Sequence, residues 1–317
     1  MERFRDIVLR VGKGAGLLGV CNGLYGMVEA QGRGTLHCHM LIWIDGNPSP
    51  SLLREKMNDS CFKATMFAWL ERLIKTELPG TMEVQRGENV PLTRPKRSTD
   101  SIDPRTMFGP CISGMDKQAF NQAFDSHVSD LVCANNWHEH RASCWIYLRP
   151  GEEKSDAKCR MRIDGITRAL SAVDEESGSI LLRRLHPWIN EYNPVIMFLL
   201  KCNMDLQYIG SGEGAKAALY YITDYITKPS LKVHAGMSAL VYAIQKNREK
   251  YKGVNSNAVA DESRSLVNKM VHSMMSRQEM SHQQIMSYYV GGGDCYTSHT
   301  FSVLQWGRFS RFVATME

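Results

Sequence analysis

His37, Cys38 and His39 place two imidazoles two residues apart. On a β-strand, side chains alternate faces with period two, so both rings come to one side. Two neutral imidazoles on one face can grip a divalent ion and leave other coordination positions open. Gln31 lies upstream, ahead of the turn Gly32-Arg33-Gly34, and its amide oxygen can complete a ligand set of two nitrogens and one oxygen. Far downstream, Tyr221 and Tyr225 stand four apart in a segment of helical pattern, Glu213 to Lys228, that stops at Pro229. Residues four apart lie on one helix face, so the two hydroxyls share a side, while Tyr220 points elsewhere. A phenol with a pKa of about 10 is a weak nucleophile until a cation polarises the phosphate it attacks. Lys228, on the next turn, can neutralise the charge that develops. Taken alone, a tyrosine pair on a helix more often packs than reacts.

A second group of ligand-type residues comprises Cys133, His138, His140, Cys144 and Cys159. His138, His140, Cys144 and Cys159 can form a Cys₂His₂ zinc site, or the cysteines can be small buried apolar residues without a ligand. Cys21, Cys38, Cys61, Cys111, Cys202 and Cys295 read as core or incidental. Two glycine-rich stretches imitate nucleotide motifs. Gly14-Ala15-Gly16-Leu17-Leu18-Gly19 has the dinucleotide spacing, but Cys21 to Tyr25 lead into another strand where a helix is required. Gly210 to Lys216 fails the spacing of a phosphate-binding loop and lacks its Ser or Thr.

The elements that must position these residues follow from patterning. Met27 to Gln31 and Leu36 to Ile44 read as two strands joined by a glycine turn, the second closed by Asp45-Gly46-Asn47-Pro48. Phe62, Met66, Leu70 and Ile74 recur at helical spacing after the N-cap candidates Asn58, Asp59 and Ser60. Phe120, Phe124, Val128 and Leu131 form the stripe of a second helix over 115–132. Strands are expected at 180–184, 195–200, 204–209 and 300–304, and further helices at 233–251 and 262–275. A basic loop over 85–106 carries Arg86, Arg94, Lys96, Arg97 and Arg105. It is either a solvated loop or a phosphate contact.

Composition sets broad bounds. A chain of 317 residues can bury a substantial core, and a formal charge of +5 with pI near 8.7 is compatible with a polyanionic partner without requiring one. Nine cysteines, an odd number without regular spacing, favour a reducing compartment over a disulfide scaffold. The charged start Met1 to Asp6 does not look like a signal peptide, and no apolar run reaches the ~18 residues of a membrane span. A nuclear or cytosolic protein is expected, not a secreted one.

Several spaced segments together resemble one family. Glu29-Ala30-Gln31-Gly32-Arg33-Gly34-Thr35-Leu36-His37-Cys38-His39-Met40-Leu41-Ile42-Trp43 is similar to the signature of the replication-initiator region of Helitron transposases, which are HUH endonucleases. Tyr221-Ile222-Thr223-Asp224-Tyr225-Ile226-Thr227-Lys228 resembles that family's two-tyrosine helix. Asn203 to Gln207 and the tail around Tyr288-Tyr289-Val290-Gly291 resemble segments of Helitron helicase-like proteins. The resemblance implies an α+β fold with a central antiparallel sheet of HUH endonuclease type, flanking helices, a zinc-knuckle-like insertion and a helical C-terminal extension. It implies four regions: an HUH strand region at 1–45, a helical and Cys/His-rich insertion at 46–179, remaining strands and the two-tyrosine helix at 180–232, and the extension at 233–317.

By the same resemblance, His37 and His39, with Gln31 as third ligand, hold Mg²⁺ or Mn²⁺. Tyr221 and Tyr225 cleave and rejoin single-stranded DNA through a 5′-phosphotyrosine, as rolling-circle transposable elements do. His138, His140, Cys144 and Cys159 hold a structural Zn²⁺. Two positions depart from the pattern: Leu36 replaces a proline, and Asp224 replaces a lysine and brings an acid that repels a phosphodiester. The family's first-motif strand has no counterpart ahead of this region, and the helicase domain is lacking, so a truncated fragment is expected. The alternatives are a catalytically inactive, DNA-binding remnant and a zinc-stabilised interaction protein.

Overall fold

The computed structural model describes residues 1–30, 35–81, 92–96, 102–176, 178–210, 216, 219–220, 223, 233–252, 259–277, 282–300 and 305–315. The fold is α+β, with a small antiparallel sheet and helices. The chain divides into two units, Met1–Asn47 with Tyr220–Glu317, and Pro48–Leu219. Among the described residues no helix is long and apolar enough to cross a membrane.

The first unit opens with a π-type helix, Phe4–Leu9, followed by strands β1 (Ala15–Gly16) and β2 (Gly19–Ala30) in a tight hairpin. The apparent dinucleotide fingerprint is this hairpin, with Gly12, Gly14 and Gly19 at positive φ. Strand β2 is longer than patterning suggests, because glycines at 23 and 26 break the alternation that marks a strand in sequence. It pairs antiparallel with β3 (Leu36–Ile44), in a register that sets Glu29 opposite His37, Val28 opposite Cys38 and Met27 opposite His39. A short C-terminal strand, here called β6 (Cys295–Thr297), takes the other edge of β2, with Cys295 opposite Met27. This strand was not among those expected; of the strand expected at 300–304, residues 301–304 lie outside the described residues.

Leu24 and Val28 are buried on the sheet face away from Glu29, which anchors the register: a one-residue slip would put them on the histidine face. The two helices expected over 233–251 and 262–275 form, at Val233–Tyr251 and Val259–Met275, and they pack together. Ala239, Ala243 and Asn247 recur every four residues and are buried. Small alanines permit close approach, and the Asn247 side chain donates to the Glu262 carbonyl and accepts from Lys269.

The second unit is mainly helical among the described residues. The Asp59 carboxylate caps helix Ser60–Leu73 by accepting from the Cys61 and Phe62 amides, and Asp116 caps Lys117–Asn135 through Ala119. Val128, Leu131 and Val132 of the latter form a core with Trp137, Ile189, Tyr192 and Met197. Strands β4 (Ala172–Val173) and β5 (Ile180–Leu181) form a two-stranded ladder.

Two strand expectations fail here. Residues 194–200 form a helix, because Pro194 takes its first turn and the Asn193 side chain accepts from the Val195 and Ile196 amides; a short apolar run does not reveal its period. Residues 204–209 join no ladder. The Met204 carbonyl accepts instead from the side-chain amides of Asn136 and Asn190.

Candidate metal centres

In the first unit, the β2–β3 register brings His37, His39, Glu29 and Met27 to one sheet face. The two imidazoles meet edge to face, with ring centroids 4.7 Å apart. His39 Nε2 lies 3.8 Å from a Glu29 carboxylate oxygen, and the His39 side chain is only 10% exposed. Burial depresses the His37 pKa below its ordinary value, with the Glu29 charge opposing. His37 is thus biased toward the neutral form that a metal requires. Glu29 is a residue the sequence reading missed. Its signal was present, since it stands two residues before Gln31 and so on the same strand face, and a carboxylate beside two imidazoles suits a divalent ion. Gln31 itself lies outside the described residues, as do Tyr221, Asp224, Tyr225 and Lys228.

In the second unit, the structure gathers His138, His140, Cys144 and Cys159: one ligand atom from each lies within 4.8 Å of all the others. His138 is fixed by its amide, which donates to the Trp188 carbonyl at 2.7 Å, next to an antiparallel bridge between Trp137 and Ile189. His140, two residues on, turns its Nδ1 to the same side, 3.1 Å from His138 Nε2. A 3₁₀ turn, Ala142–Trp145, curls Cys144 back so that its sulfur accepts from the Arg141 amide at 3.4 Å. A second turn, Asp156–Lys158, delivers Cys159, and the Arg160 amide ties the two turns by donating to the Cys144 carbonyl.

The interatomic distances test whether an ion fits. His138 Nε2 lies 3.1 Å from His140 Nδ1, 3.4 Å from Cys159 Sγ and 3.8 Å from Cys144 Sγ. Around a tetrahedral zinc, nitrogens stand about 3.3 Å apart and nitrogen and sulfur about 3.6 Å, from bonds of about 2.05 and 2.3 Å. The donor set and the spacing both suit zinc. Burial pushes the Cys159 thiol up, while the backbone N–H groups of Met161 and Ile163 stabilise its thiolate. Burial, followed by His140 and Arg141, holds His138 below its usual pKa. A neutral His138 imidazole is the form a metal takes, whereas at Cys159 an ion would have to displace the thiol proton. Among the described residues, this is the one group of three or more His, Cys, Asp or Glu side chains converging in this way.

Asp156 is the second residue that sequence reasoning missed. Its carboxylate oxygen lies 3.0 Å from His140 Nε2, the ring nitrogen facing away from the cluster. Cys133 is not in the group; burial raises its thiol pKa. Of the basic loop, Arg94 pairs with Glu139 and donates to the Ala134 carbonyl, and Arg105 pairs with Asp103, so both have internal partners. Arg86 and Arg97 lie outside the described residues. Comparison with family models, with curated proteins and with solved structures finds no match to this chain.

Proposed function

We propose that the protein is a metal-assisted, tyrosine-using endonuclease and strand transferase for single-stranded DNA, of the HUH type found in Helitron elements. The observation that carries this reading is the pair His37 and His39 on one face of β3, with the Glu29 carboxylate across the ladder. In this reading His37 and His39, with Gln31 or Glu29, would hold Mg²⁺ or Mn²⁺, which would supply Lewis-acid polarisation of the scissile phosphate. The oxygen of Tyr221 or Tyr225 forms a bond to phosphorus as its phenolic proton passes to water. The 3′ oxygen of the preceding nucleotide leaves and takes up a proton. Attack by a 3′ hydroxyl reverses the step, so strand transfer consumes no ATP. Lys228 offsets the added charge, and two tyrosines permit two successive cleavages.

The test is incubation of the chain with end-labelled single-stranded DNA and Mn²⁺. A covalent protein–DNA adduct is expected, and it should be lost in the Tyr221→Phe or Tyr225→Phe variant. Wild-type protein that cleaves no DNA and forms no adduct rejects the reading.

The His/Cys group favours a second reading, a zinc-stapled protein that binds without cleaving, its active site disturbed by Asp224. Binding to single-stranded DNA that weakens as salt rises, with no adduct, supports a non-cleaving DNA binder. Absence of binding at low salt leaves a zinc-stabilised interaction protein.

A further inference from the structure

We propose that Asp156 is an outer-sphere partner of the His138/His140/Cys144/Cys159 centre, holding His140 in the tautomer whose Nδ1 is free to bind the ion. The inference rests on the metal reading of that cluster and adds a positioning residue to it. His140 has one nitrogen on each side of the problem: Nδ1 is 3.1 Å from His138 Nε2, inside the cluster, and Nε2 is 3.0 Å from Asp156 Oδ1, outside it. An ionised carboxylate can only accept a hydrogen bond, so the proton belongs on Nε2 and the lone pair on Nδ1. The two histidines then bind through different nitrogens, His138 through Nε2 and His140 through Nδ1.

The surroundings restrict the alternatives. The His140 ring packs against Trp145 and Trp188, with centroids 4.8 and 5.4 Å away, which resists a ring flip that would exchange the nitrogens. Asp156 also joins the two ligand-bearing segments: its side chain accepts from His140 while its carbonyl accepts from the Cys159 amide at 3.0 Å. A Cβ at Gly165 would stand 3.3 Å from Asp156 Oδ2 and 3.0 Å from the Trp188 ring, so the chain closes tightly over this corner. The Asp156 side chain is 53% exposed, so as a plain surface ion pair it would matter little. Its effect is expected through the metal. Losing such a partner typically weakens metal binding ~10–100-fold, and exposure places this case near tenfold.

The experiment measures Zn²⁺ affinity of the full chain by competition with a chromophoric chelator, for wild type and for Asp156→Ala, Asp156→Asn and Asp156→Glu. Long-range ¹H–¹⁵N spectra of the zinc-loaded chains report the His140 tautomer. Expected are about tenfold weaker binding in Asp156→Ala, a smaller loss in Asp156→Asn, whose amide oxygen still accepts, and recovery in Asp156→Glu. Wild type should show His140 protonated at Nε2 and metal-bound at Nδ1. Unchanged affinity and tautomer in Asp156→Ala overturn the proposal and leave the metal site standing, as does a wild-type His140 bound through Nε2. Wild-type protein that takes up no zinc overturns the metal reading itself. The wild-type tautomer decides the matter even if Asp156→Ala fails to fold.

Discussion

Glu29 and His37 face each other directly across the β2–β3 ladder, and the Glu29 carboxylate reaches to within 3.8 Å of His39 as well. One anion thus serves two imidazoles, raising the His37 pKa against the burial that lowers it. Replacing Glu29 with Gln removes the only one of these effects that favours the imidazolium. The His37 titration, followed by NMR, should move further below its ordinary value. Mn²⁺ binding, followed by the EPR signal of the free ion, should weaken roughly tenfold or more, about 1.4 kcal/mol. A His37 titration that does not move, or moves upward, contradicts the pairing.

The Cys₂His₂ group should make the Pro48–Leu219 unit depend on zinc. At free zinc ~1,000-fold above Kd, binding stabilises by about 4 kcal/mol, or roughly 8–16 °C in Tm for a unit of this size. One zinc per chain is expected by elemental analysis. Cys144→Ser and Cys159→Ser should each abolish stoichiometric zinc and most of the zinc-dependent rise in Tm. Equal Tm values with zinc and with chelator in wild type would exclude a structural ion.

His127 lies buried against the Phe198 ring, and its Nε2 has no hydrogen-bond partner among the described residues. Burial, reinforced by Lys201 and opposed by Asp130, holds its folded pKa below the ordinary value of about 6.5. Above that value the ring is neutral in both folded and unfolded chains, and stability is unaffected. As pH falls through about 6.5 the unfolded chain takes up the proton first, so stability declines until the folded pKa is reached. His127→Phe should therefore lose less stability than wild type between about pH 7.5 and 5 in urea titrations, since both chains share every other histidine. Identical pH profiles would dissociate His127 from acid sensitivity.

The hairpin that leads into β2 depends on Gly16. A Cβ there would collide with the Leu9 carbonyl oxygen, where the turn of the Phe4–Leu9 helix crosses the strand. Backbone cannot swing aside as a side-chain tip can, so Gly16→Ala should destabilise by about 1–3 kcal/mol. At Gly14 a Cβ meets nothing within 4 Å, although φ is +98°. Gly14→Ala should cost about 1 kcal/mol, from backbone strain alone. Chemical denaturation of the two variants checks the order.

The helix over 60–73 was legible because its apolar residues repeat at 3–4 spacing behind a recognisable cap, those over 117–135 and 233–251 from their pattern, and β3 because its apolar and aromatic run lies between a glycine turn and Asp45-Gly46-Asn47-Pro48. The run 194–200 was not legible. Seven mostly apolar residues fit either period, and the choice was made by the Asn193 side chain, which caps the helix and also donates to the Leu73 carbonyl 120 residues away in sequence. Strand β6 was illegible for a related reason: three residues carry no period, and they become a strand only because β2 offers an open edge.

Sequence alone determined which residues can bind a metal and that His37 and His39 share a face, since alternation along a strand is a local property of the backbone. It also determined that His138, His140, Cys144 and Cys159 were available as ligands, without choosing between a zinc site and separate buried thiols. Only the tertiary structure brought those four together, because their convergence depends on two turns linked by the Arg160 amide and on the bridge between Trp137 and Ile189. It also paired Glu29 with the histidines across the ladder and Asp156 with His140, contacts that spacing leaves open. Hydrogen bonds across a ladder or between turns join residues that spacing cannot connect, and they are what turns a list of donors into a site.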